Sequence, residues 1–151
     1  MDVANVKSVF DRFQRDAADG LLASDIFARA DAQPILGYNT NPAACALFNK
    51  VVQHLIESLA GSKFPPLHRY ILIDLAGNKT VVVVNLSAEY LWGMLCDTTK
   101  IQLGMLLNVI VPTAAAQFQE AIKAGGAPGI PGLRPAQVLP EPAGLGRRDS
   151  R

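Results

Sequence analysis

The sequence is short of the residues that build metal and redox sites. It holds two cysteines and two histidines, at Cys45, Cys96, His54 and His68, and no two of them stand at ligand spacing. The thiols read as buried, reduced residues of one helix and one strand. Charge of one sign is also missing: 14 basic against 13 acidic residues leave a net charge of +1. Bulk attraction to nucleic acid or to an anionic membrane is therefore not expected. No apolar run of about 18 residues occurs, which argues against insertion in a membrane. The opening MDVANVKSVFDRF carries charges and no apolar stretch, so it does not read as a secretory signal, and the cytoplasm is the expected compartment.

Catalytic patterns are scarce as well. Gly77-Asn78-Lys79-Thr80 lacks the upstream glycine of a phosphate loop and runs into a strand. Ser24, Ser58 and Ser87 stand outside any nucleophile-elbow context. The glycines from Gly125 to Gly132 have neither a strand before them nor a helix after them. No enzyme and no cofactor is expected.

What is present is a dense apolar run from Tyr70 to Thr98. It reads YILIDL, AGN, KTVVVVNL, SAE and YLWGMLCDT, that is, three strands separated by short polar breaks. Gly77-Asn78 suits a hairpin turn because both residues tolerate positive φ. Val81 to Val84 are apolar at every position, so the sheet needs cover on both faces.

The rest of the chain supplies that cover. Residues 2–18 place Val3, Val6, Phe10, Phe13 and Ala17 at helical spacing, and Gly20 closes the helix. Leu21 to Ala30 reads as a strand broken near Ser24-Asp25, and Pro34 to Tyr38 as a short second strand. Asn41 caps a helix that begins with Pro42 and ends near Ala60 before Gly61. Its apolar arc spans about 180°, wider than one sheet contact requires. The surplus is assigned to Val52 and Ile56. After Thr98 helical spacing returns, with the helix expected to be kinked or split near Asn108 to Val111 because Pro112 removes one backbone hydrogen bond. From about residue 124 Gly, Pro and Arg replace apolar periodicity, which reads as a flexible tail. The division is thus a domain over 1–123 and a tail over 124–151.

The order is α-β-β-α-β-β-β-α. It predicts an α+β fold, a five-stranded antiparallel sheet with helices on both faces. This order, with the helix NPAACALFNKVVQHLIESL, the hairpin RYILIDLAGNKTVVVVNL leading into YLWGML, and Leu103-Gly104 opening the last helix, resembles the roadblock family, a profilin-like fold. That family is named after a dynein light chain and includes bacterial gliding-motility regulators that act on a small Ras-like GTPase. Pro112 and the Ser24-Asp25 break depart from its pattern.

The resemblance implies a non-enzymatic scaffold that pairs as a homodimer or related heterodimer through the long helix and the third strand. On this chain the implied seam holds Val52, Ile56, Tyr70, Ile71 and Ile73. Such a third strand, left unpaired, would be an aggregation hazard. The polar helix face, Asn49, Lys50, Gln53, His54 and Glu57, is the expected surface for a small GTPase or its adaptor. The competing reading is a PAS- or GAF-like sensor module with a small ligand between sheet and helix.

Overall fold

The computed structural model describes residues 1–124, so the expected tail lies almost wholly outside the described residues. In order the elements are α1 (Val3–Ala17), a 3-10 turn (Ala18–Gly20), β1 (Leu21–Ala28), β2 (Pro34–Tyr38) and α2 (Pro42–Ala60). They continue with β3 (Tyr70–Leu75), β4 (Lys79–Asn85), β5 (Tyr90–Asp97), a short α3 (Leu103–Met105), a π-helical segment (Leu106–Ile110) and α4 (Val111–Ala124). The five strands form one sheet in the order β2-β1-β5-β4-β3, every neighbouring pair antiparallel. This is the α+β fold that the pattern predicts.

Residues form two compact units. The larger, 13–112, contains the sheet. Its strands alternate: Val81, Val83, Leu91 and Phe27 share a buried cluster with Cys45 and Val52 of α2. The next residues along, Val82, Val84, Trp92 and Met94, are buried on the opposite face. There Phe13, in the last turn of α1, meets Trp92 edge-on with ring centroids 4.7 Å apart, a favoured aromatic geometry. The smaller unit joins residues 1–12 to residues 113–124. In it Phe10 and Phe118 are buried with centroids 6.4 Å apart, and Arg12 donates to Gln117 Oε1 at 2.8 Å.

Local signals act as the residues suggest. Asn41 Oδ1 accepts the N–H of Ala44 at 3.1 Å, with Pro42 following the cap. Gly77 and Asn78 carry φ of 79° and 60° between β3 and β4, the left-handed region such a turn requires.

One expectation fails for a physical reason. Strand β1 is not broken at Ser24-Asp25 but runs through both, and both are buried. Ser24 Oγ donates to the Gly93 carbonyl and accepts the Trp92 indole N–H, each at 2.9 Å. Asp25 Oδ2 accepts the N–H of Asn41 at 3.2 Å. The polar pair is thus satisfied largely from inside the fold. The strand instead stops at Ala28, two residues early, where the Ala28 carbonyl accepts from Ala32 N–H in a turn. The split expected near Asn108 to Val111 is present: a π-helical segment, Leu106–Ile110, separates α3 from α4. The missing proline N–H thus falls at a junction where the bonding pattern already changes.

Ser24→Ala should destabilise the protein by about 1–3 kcal/mol, because a buried indole N–H would lose its acceptor. Urea unfolding measures it. A change below about 0.5 kcal/mol would show that the indole finds another partner.

Candidate functional site

Strand β3 ends the sheet. It pairs with β4 alone, from Tyr70↔Val84 to Leu75↔Lys79, so its outer edge has no strand beside it among the described residues. Ile71 and Ile73 face α2 and pack half-buried against its cluster. Tyr70, Leu72 and Asp74 point to the other face. Leu72 is 39% exposed and Leu75 42%, large values for leucines in a sheet with a buried centre. The Arg69 guanidinium lies over the Tyr70 ring, 5.7 Å from its centroid, within cation–π range.

Helix α2 presents a buried flank and an exposed one. Val52 is 1% exposed and sits inside the core with Cys45, and Ile56 is half-buried against the same cluster. The surplus apolar flank is therefore not Val52 and Ile56. Leu47, 55% exposed, and Val51 form it, with the half-buried Leu55 one turn further along the same row. The apolar arc of the helix includes these residues, but its width does not say which edge of the arc the sheet leaves uncovered. The signal was the four-residue spacing of Leu47, Val51 and Leu55.

The polar face is partly committed to the fold. Asn49 Nδ2 donates to the Arg29 carbonyl at 3.0 Å, so Asn49 ties α2 to the end of β1. Arg29 Nη1 in turn donates to Asn85 Oδ1 and the Ser87 carbonyl, each at 3.1 Å. Gln53 Nε2 donates to Glu57 Oε2 at 2.9 Å across one exposed turn. Lys50 and His54 are exposed beside them. At the C-terminal end of α2 an open groove of about 490 Å³ is lined by Arg29, Ile56, Leu59, Phe64 and Leu67, among others.

Between α2 and the sheet lies a cavity of about 210 Å³, lined by Ser24, Asp25, Phe27, Cys45, Phe48 and Leu95 among others. Asp25 is 6% exposed. Its Oδ1 is closed off from solvent and receives no hydrogen bond, and a Cβ at Gly37 would collide with it. The carboxylate is thus wedged over β2. The cavity is smaller than the several hundred Å³ usual for a ligand pocket. Among the described residues no group of His, Cys, Asp and Glu is placed to hold a metal ion, and no helix is long and apolar enough to cross a membrane.

No family model matches the sequence, and no curated protein matches it. Solved structures do share the fold. MglB of Myxococcus xanthus superposes with a TM-score of 0.66 at 14% identity, covering 82% of this chain and 99% of that one. An MglB with a tetrameric arrangement gives 0.63 at 11% identity, over 80% and 90%. The gliding protein MglB of Thermus thermophilus gives 0.59 at 11%, over 80% and 90%. At these identities the likeness establishes the fold. The chain has a roadblock-type fold, the type its pattern resembles.

Both thiols are held protonated. Burial, assisted by the neighbouring Asp25 carboxylate, pushes Cys45 up to about 12, and burial pushes Cys96 up to about 11. In the unfolded chain a thiol ionises near 8.5. As pH rises above about 9 the unfolded state sheds protons that the folded state keeps, so stability should fall with pH. The fall should be shallower in Cys45→Ala with Cys96→Ala, measured by denaturant unfolding from pH 8 to 11. Equal slopes in the two proteins would show that the thiols are not the titrating groups.

Proposed function

We propose that the protein is a non-enzymatic dimeric scaffold that binds and regulates a small Ras-like GTPase or its adaptor. The observation carrying this reading is the open β3 edge, with Leu72 and Leu75 exposed, on a sheet whose α2 also carries the uncovered row Leu47, Val51 and Leu55. Pairing β3 with its own copy about a twofold supplies the missing strand. It also sets two α2 helices side by side on one face of a continuous sheet. Tyr70, Ile71, Ile73 and the exposed side of Ile56 then line the seam, whereas Val52 stays within each protomer's core. The tetrameric arrangement named for one MglB structure supports self-association as a property of this fold.

In such a dimer Lys50, Gln53, His54 and Glu57 face outward on the paired helices and form the surface offered to the GTPase. Asn49 acts mainly by holding α2 to β1. The sensor reading has less support, because the cavity under α2 is small. The reading takes the scaffold to be cytoplasmic and to need no cofactor.

Two measurements test this. The chain should sediment as a dimer at micromolar concentration. Leu47→Lys with Val51→Lys should leave a folded monomer, because both positions are exposed in the protomer and buried only at the seam. A wild-type monomer would overturn the dimer. Separately, Lys50→Glu with Gln53→Ala should leave dimer mass and melting temperature unchanged. It should weaken binding of a GTP-loaded Ras-like GTPase from the same organism by about tenfold or more. Unaltered binding would move the contact off the polar face of α2.

A further inference from the structure

The open edge of β3 has a definite register. Asn85 N–H donates to the Arg69 carbonyl at 2.7 Å, and these two residues extend the β3–β4 register, in which Tyr70 faces Val84. In an antiparallel ladder the residues that exchange both bonds alternate along the strand. Arg69, Ile71, Ile73 and Leu75 therefore spend their backbone groups on β4. Tyr70, Leu72 and Asp74 turn theirs outward to the free edge.

The inference rests on the dimer reading above, in which both α2 helices lie on one face. A twofold of that kind runs through the sheet. It opposes residues on the same face, so the dyad must fall on a residue of β3 and not between two. On Leu72 the fit is complete. Leu72 exchanges both bonds with its own copy, and Tyr70 exchanges both with Asp74 of the second copy. On Ile71 or Ile73, one of the three outward residues opposes a position beyond the strand and loses its partner.

Side chains select the same register. With the dyad on Leu72, Ile71 opposes Ile73 on the α2 face, an apolar pair. On the other face Leu72 meets Leu72, and Tyr70 with the Arg69 guanidinium over its ring stands opposite the Asp74 carboxylate. Opposed pairs of this kind stabilise a sheet. A dyad on Ile73 would instead set Asp74 against Leu72.

We infer that this β3–β3 seam has one register, centred on Leu72. Asp74 and the Arg69–Tyr70 pair are its specificity determinants. The edge is complementary to itself in hydrogen bonds, apolar matching and charge together, as an isologous interface requires.

Cysteine scanning of residues 70–74 tests it. Residues exchanging both bonds across a seam lie about 5.5 Å apart at Cα, within disulfide range of about 4.4–6.8 Å. Neighbours of the dyad residue face their own copies at about 8 Å or more. Cys45 and Cys96 are buried and do not compete. Under mild oxidation Leu72→Cys alone should cross-link nearly completely. Tyr70→Cys and Asp74→Cys should link only when mixed with one another. Asp74→Lys should weaken the dimer about tenfold or more, and adding Arg69→Asp should restore it to within about threefold. A maximum at Ile71→Cys or Ile73→Cys, or no restoration by the charge swap, would overturn this register while leaving a dimer. A dimer with no cross-link anywhere along β3 would also overturn it, by moving the seam off β3. A wild-type chain that sediments as a monomer would remove the dimer reading itself.

Discussion

The buried indole of Trp92 sets the constraint on which the sheet depends. The residue is fully buried, yet it carries an N–H that must find an acceptor away from water. Ser24, one strand away, provides it and passes its own proton to the Gly93 carbonyl. This short chain stitches β1 to β5 at the middle of the sheet. A one-residue slip would turn the indole to the other face and leave both polar groups unpaired. Phe13 then closes over the indole from the last turn of α1. A serine that looks like a strand breaker is what holds this strand in register.

A second constraint is the division of α2. Its buried flank is filled by Cys45, Val52 and part of Ile56, and this flank is what seats the helix on the sheet. Its position is further set by the Asn41 cap and the Asn49–Arg29 hydrogen bond. Once the helix is so placed, the row through Leu47, Val51 and Leu55 has nowhere in the described residues of its own unit to be buried. The same is true of the outward groups of β3. The open edge of β3 and the exposed row of α2 adjoin one another, and a second protomer is proposed to cover both. That reasoning, with the fold shared with MglB structures, carries the proposed scaffold role. The cavity beneath α2 is what remains where Gly93 places no side chain beside Asp25.

The order of elements was legible in the sequence because each rests on local chemistry. Asn41-Pro42 starts a helix wherever it is placed. Gly77-Asn78 takes positive φ in a turn, and a run such as Val81 to Val84 belongs in a sheet covered on both faces. The boundaries of α2, β2 and β3 follow from such signals alone. The family resemblance was likewise carried by lengths and order, which survive at identities too low for any motif.

Other features were decided by tertiary structure. Ser24-Asp25 reads locally as an interruption, and only the arrival of Trp92, Gly93 and Asn41 makes both residues acceptable inside a strand. Pro112 reads as a kink or split, and only the π-helical turn before it shows how the chain absorbs the missing donor. The site was half legible. A helical arc states how much apolar surface must be buried, but not which edge of the arc the sheet will reach, so Val52 could not be told from Val51 in advance. Likewise the apolar residues of β3 were plain in the sequence. Which of them turn their backbone outward is settled only by the register against β4, since a strand's hydrogen bonds are made with a partner that its own sequence does not name.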